Sequence, residues 1–140
     1  MSWARALARL SILRFAVIGA LGMPVDAGVL WLMTHRAGFD PYSGRIVSWI
    51  CAATFTWAGN RYFTFRGSRA RGVTGTAKEW LRFLAANAVG GLVNVGLYST
   101  LVRFAPPPAN NLYVALVLGV LAGLVFNFTL SKKLVFKGPL

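Results

Sequence analysis

Acidic residues are nearly absent from this chain. Its 140 residues include three, Asp26, Asp40 and Glu79, against fifteen Lys and Arg, for a formal net charge of +12. There is one histidine, His35, and one cysteine, Cys51. A lone cysteine cannot close an intramolecular disulfide, and Cys51, inside an apolar run without metal-ligand neighbours, reads as packing. No Gly-rich phosphate loop, nucleophile triad or metal-ligand cluster can be assembled from the sequence. These absences argue against an enzyme and leave no cofactor to expect.

What the chain has is apolar surface: 56% of it is hydrophobic and its mean hydropathy is +0.59. A soluble domain of this length needs more polar surface than that. The positive charge could suggest nucleic acid, but the basic residues lie between long apolar runs, where they read as topology signals. No nucleic-acid partner is expected.

Four stretches, at 15–34, 46–63, 82–104 and 110–131, approach the ~20 residues of a bilayer crossing. Backbone groups in hydrocarbon must be satisfied internally, so the expected class is an all-α membrane protein of four transmembrane helices. Pro24 should kink or loosen the first, and Pro106-Pro107-Pro108 should force a tight turn before the fourth.

The chain also repeats itself. Arg14-Phe15, Gly22, Val25, Asp26 and Gly28 return 68 residues later as Arg82-Phe83, Gly90, Val93, Asn94 and Gly96. At an offset of 71, Phe55-Thr56-Trp57, Asn60-Arg61 and Phe65-Arg66 return as Phe126-Asn127-Phe128, Ser131-Lys132 and Phe136-Lys137. One domain over 1–140 thus reads as two tandem hairpins, 14–66 and 82–137, joined by a linker over 67–81. The match to mid-chain residues also argues against a cleaved secretory leader at the amino terminus. Twelve cations fall in the amino-terminal segment, the central loop and the tail, while Arg36, Arg45 and Arg103 fall in the other two connections. The positive-inside rule then predicts parallel repeats with both termini cytoplasmic.

Asp26 is the sharpest single residue. Twelve positions after Arg14, about 18 Å along a helix, it should lie near mid-membrane. A carboxylate there is costly and normally faces the protein interior. Asn87, Gly91, Asn94 and Tyr98 form one polar, small face of the third helix, and Gly19, Gly22 and Asp26 the corresponding face of the first. These faces are expected to border a shared polar cavity, which Trp57 could also line. The alternative is that Asp26 bonds a neighbouring helix and only stabilises packing. Ala115, Gly119 and Gly123 permit close helix approach, within the chain or across a homodimer. The tryptophans and tyrosines fall mostly near interfaces, as does His35, and Glu79 is expected to pair with a nearby arginine or to hold the central loop against a partner.

The opening Arg-Phe-x-x-x-Gly with an acid in the first helix, Asn60-Arg61-Tyr62-Phe63-Thr64-Phe65 after the second, and Asn127-Phe128 with Ser131-Lys132-Lys133 and Val135-Phe136 at the end resemble the GtrA-like family. The resemblance covers residues 12–137. It implies a small multi-pass protein of a bacterial or archaeal inner membrane, working in cell-surface polysaccharide synthesis. Members are thought to flip polyprenyl-phosphate-linked monosaccharides such as undecaprenyl-phosphate glucose, made on the cytoplasmic side by a partner glycosyltransferase. One departure is that Thr56 stands in the first repeat where Asn127 stands in the second.

Such a substrate needs cations for its phosphate, polar groups for its sugar and a lateral opening for its tail. Arg14, Arg61, Arg82, Lys132 and Lys133 fall at predicted cytoplasmic helix ends and suit the phosphate, though each could simply anchor the protein at membrane lipids. Asp26, Asn60, Asn87, Asn94 and Asn127 are the candidates for the sugar. Two other readings stay open: a proton-coupled exporter resembling small multidrug-resistance transporters, and a non-transporting anchor that recruits a glycosyltransferase.

Overall fold

The computed structural model describes residues 3–137, apart from the side chains at 4, 5, 7, 8 and 42; the side chain of Arg5, one of the three cations of the amino-terminal segment, therefore lies outside the described residues. Four helices run in order: α1 (Trp3–His35), α2 (Pro41–Gly59), α3 (Val73–Phe104) and α4 (Leu112–Leu130). α2 continues into a five-residue π turn at Asn60–Thr64 and α4 into another at Ser131–Val135. No strand occurs among the described residues.

Among the described residues, three segments are long and apolar enough to cross a membrane: Arg9–His35, Val73–Phe104 and Leu112–Val135. α2 falls short because Arg45, Ser43, Ser48, Thr54 and Thr56 dilute its 19 residues. Leu116, Val117, Leu121 and Val125 on α4 stand exposed, as do Leu92 and Val95 on α3. In water such a surface would be an aggregation hazard; in lipid it is the solvated face.

α1 and α3 are longer than the apolar runs alone predict, at 33 and 32 residues. α1 passes Pro24 without a break in the helix. The connection between the hairpins is shorter than the expected 67–81, because α3 already begins at Val73, after Gly72 at φ 77°. A positive φ is cheap only for glycine, so Gly72 marks the turn into α3.

The other turns follow from local chemistry. Gly38, at φ 74°, reverses the chain after α1, and Asp40 accepts from the Ser43 N–H at 3.1 Å to cap α2. After Pro106–Pro108, the Asn111 side chain accepts from the Tyr113 and Val114 N–H groups at 3.0 and 3.3 Å and caps α4.

α1 packs chiefly on α2, and α3 on α4. The Ala115, Gly119 and Gly123 stripe is buried against α3. A Cβ on Gly119 would lie 2.7 Å from the Asn94 carbonyl oxygen, and one on Gly123 would lie 2.9 Å from that of Gly90. The stripe is thus taken up by contact within the chain. The two hairpins meet in an aromatic cluster of Phe15, Phe65, Phe83, Phe128 and Phe136. Phe65 and Phe136 follow the two π turns, and their rings stack at 4.6 Å and 13°. Both π turns, and the repeat openings Phe15 and Phe83, therefore lie at one end of the bundle.

Candidate functional site: a polar cavity between the hairpins

Beyond the phenylalanine cluster, a cavity of about 440 Å³ lies between the hairpins. α1 contributes Gly19, Gly22 and Asp26, α2 contributes Thr56, α3 contributes Asn87, Gly91 and Asn94, and α4 contributes Asn127. Asn60 reaches it from the first π turn. The five residues assigned to the sugar from sequence thus line one space, and the α1 face and the Asn87, Gly91 and Asn94 part of the α3 face border it, while Tyr98 is not among the lining residues. Phe15 and Phe83 close it toward the π-turn end.

Its polar groups are not equivalent. Asn60 is occupied: its amide donates to the Thr56 carbonyl at 2.9 Å, and its Oδ1 accepts from the Thr64 hydroxyl at 2.8 Å. Those two bonds tie the last turn of α2 to the π turn, so Asn60 shapes the wall. Asn127 differs, since its Oδ1 is buried without a hydrogen-bond partner among the described residues. It lies against Gly90, where a Cβ would come within 1.9 Å of it. Gly22 leaves room for Thr56 in the same way, its Cβ position being 2.6 Å from the threonine Cγ2. The two glycine–polar pairs sit at matching repeat positions. An orphaned buried acceptor costs about 1–3 kcal/mol, a cost that turning the Asn127 amide from Gly90 toward the cavity would relieve.

Asp26 is ion-paired. It accepts from Arg45, which also reaches the buried Ser48 hydroxyl at 3.3 Å. From sequence Arg45 reads only as an outer-loop cation, just ahead of a span expected to start at 46. The signal for its pairing is the need of a carboxylate in a membrane helix for a counter-ion. Asn94, the repeat partner of Asp26, needs none.

The cations assigned to phosphate divide as well. Arg61 is 9% exposed and donates to Glu79 at 2.5 Å and to the Ala70 carbonyl at 2.7 Å. Glu79 also accepts from the Trp57 indole at 3.0 Å and from the Ala70 N–H at 2.5 Å. Arg61, Trp57 and Glu79 thus clasp the inter-hairpin connection to the bundle. Trp57 belongs to this clasp and is not among the residues lining the cavity. The matching cation of the second repeat, Lys132, is outside both ion pairs found among the described residues, as are Arg14, Arg82 and Lys133. Arg14 is exposed and donates to the Phe63 carbonyl at 3.4 Å.

No curated protein matches this chain. The family model described as GtrA/DPMS, transmembrane domain, matches residues 14–136, from the first arginine of repeat one to the last buried phenylalanine of repeat two. With most of its length matched, the chain belongs to the GtrA/DPMS transmembrane-domain family.

Proposed function

We propose that this protein carries a polyprenyl-phosphate-linked monosaccharide across a bacterial or archaeal inner membrane, delivering it for cell-surface polysaccharide synthesis. The observation that carries this reading is the asparagine-lined cavity inside an otherwise apolar bundle, with the Asn127 acceptor buried and unpaired. Polar groups away from water must find partners, and sugar hydroxyls supply donors and acceptors together. Asn87, Asn94 and Asn127 contact the sugar, Asp26 bounds the cavity and is held from behind by Arg45, and Asn60 and Thr56 hold its wall.

In this reading the four helices form two parallel repeats with their π turns on the cytoplasmic side, where a partner glycosyltransferase supplies the substrate. Support comes from the stacked Phe65 and Phe136 at one end of the bundle and from the cations gathered near the same chain segments. The phenylalanine cluster then separates the cavity from the cytoplasm, and the headgroup passes when those rings part. The clasped, basic connection at Arg66–Arg71 favours a second role, as the docking point for the glycosyltransferase. A proton-coupled exporter draws less support, because Asp26 is held by Arg45.

The test is flipping of a polyprenyl-phosphate sugar in proteoliposomes. Asn94→Leu and Asn127→Leu should each slow it about tenfold or more, the worth of one or two lost hydrogen bonds, while the lipid-facing Leu121→Ala leaves it unchanged. Asparagine variants that flip as fast as wild type would remove the cavity from the mechanism.

A further inference from the structure

A second concavity, of about 640 Å³, runs along the outer face of the first hairpin. Its walls are apolar, with Leu13, Val17 and Leu21 from α1 facing Phe55, Ala58 and Phe63, and Arg14 is the one charged residue lining it among the described residues. The floor is open because Ala58 and Gly59 are small. A Cβ at Gly59 would already come within 2.7 Å of Ile18. The second repeat has Thr129 and Leu130 at the matching positions, 71 residues on, which would fill such a floor.

One end of the groove is strongly basic. Arg14 donates to the Phe63 carbonyl. Arg66 donates to the Tyr62 carbonyl at 3.0 Å, and its guanidinium lies 5.9 Å from the Phe63 ring. Arg69 lies 5.4 Å from the Tyr62 ring. All three arginines are exposed, and neither ion pair among the described residues includes any of them. Three such cations at the end of an apolar trough complement an anion carrying a long apolar tail. From Arg14 the α1 wall continues seven residues to Leu21, about 10 Å toward mid-membrane. The trough is single, so a two-chained phospholipid leaves one chain outside it. Phe55, Tyr62 and Phe63 offer flat faces to a branched, unsaturated chain.

We propose that this groove seats the polyprenyl tail of the substrate, with its phosphate on Arg14, Arg66 and Arg69. The inference rests on the reading of the substrate given above and assigns the first repeat alone as the tail-bearing half. It moves the phosphate site away from Arg61, whose guanidinium is occupied by Glu79, and gives roles to Arg66 and Arg69.

The experiment is photolabelling in phospholipid proteoliposomes with a polyprenyl phosphate bearing a diazirine in its tail. Label should fall on the peptides spanning residues 10–21 and 55–63, and unlabelled polyprenyl phosphate should displace it where added phosphatidylglycerol does not. Val17→Trp fills the trough and should lower labelling about tenfold, the equivalent of roughly ten lost atom–atom packing contacts. Each of Arg14→Gln, Arg66→Gln and Arg69→Gln should lower it about tenfold by removing a charge-assisted contact. Leu92→Trp, exposed on α3, should leave it unchanged and shows that an added lipid-facing tryptophan is tolerated. Label spread over both hairpins, or displaced equally by phosphatidylglycerol, would overturn the proposal. Flipping measured in the same vesicles separates the two claims. Groove labelling without flipping supports the groove and removes the transport reading, whereas flipping with label elsewhere overturns the groove alone.

Discussion

Replacing Glu79 by leucine tests the clasp between the π turn and the inter-hairpin connection. Glu79 is 1% exposed and accepts from Arg61, Trp57 and the Ala70 N–H. Its removal leaves the Arg61 guanidinium, 9% exposed, without a counter-ion. Breaking a buried pair this way costs about 3–5 kcal/mol. The connection at 67–72 lies at the end of the bundle and can open to water, so the lower figure of about 3 kcal/mol is expected, as local opening. Arg69 and Arg71 lie in that connection, so trypsin reads the opening directly. When reclosing is fast, cutting follows the open population, and about 3 kcal/mol corresponds to roughly a hundredfold faster cleavage. The double variant Arg61→Met/Glu79→Leu removes both charges and should recover most of the loss, because a buried pair replaced as a unit is often neutral. Cleavage within about twofold of wild type in Glu79→Leu, or a double variant as open as the two singles added together, would refute the clasp.

Gly90→Ala drives a Cβ into Asn127 and should cost about 1–3 kcal/mol of stability in detergent, read as a lowered Tm that Asn127→Ala partly restores. Asp26→Asn should cost only about 1 kcal/mol, because the Arg45 side chain is 54% exposed. The same variant should retain partial flipping that ignores a pH gradient; gradient-driven flipping that Asn abolishes would instead make Asp26 a coupling group. Reporter fusions at Gly72 and Leu140 should read cytoplasmic and those at Asp40 and Ala109 periplasmic, and a periplasmic signal at Gly72 would overturn the parallel arrangement.

The cavity was legible because a polar residue in a membrane helix declares its face. Asn87, Gly91 and Asn94 share a stripe by spacing alone, and the 68-residue offset pairs Asn94 with Asp26. What spacing could not give is which cation reaches which carboxylate. Arg45 to Asp26 spans nineteen residues and Arg61 to Glu79 eighteen, and both depend on how the chain turns between helices. The π turns were hidden too. Their only trace is the phenylalanine that follows each polar–cationic pair by five residues, Phe65 after Asn60 and Phe136 after Ser131, each donating its N–H back to that residue's carbonyl at 2.8 Å. Arg66 and Arg69 read as loop cations until Tyr62 and Phe63 are placed beside them.

The central claim is transport, and it is tested most directly with wild-type protein alone. Proteoliposomes are loaded with a polyprenyl-phosphate sugar in both leaflets, and the fraction open to an impermeant sugar-oxidising reagent is followed in time. With the protein present, nearly all of the lipid should become accessible, vesicles carrying Asn94→Leu should approach that level about tenfold more slowly, and protein-free vesicles should stay near half. Accessibility that remains near half with folded wild-type protein, while the same protein retains a glycosyltransferase at the membrane, would contradict transport and make the chain an anchor.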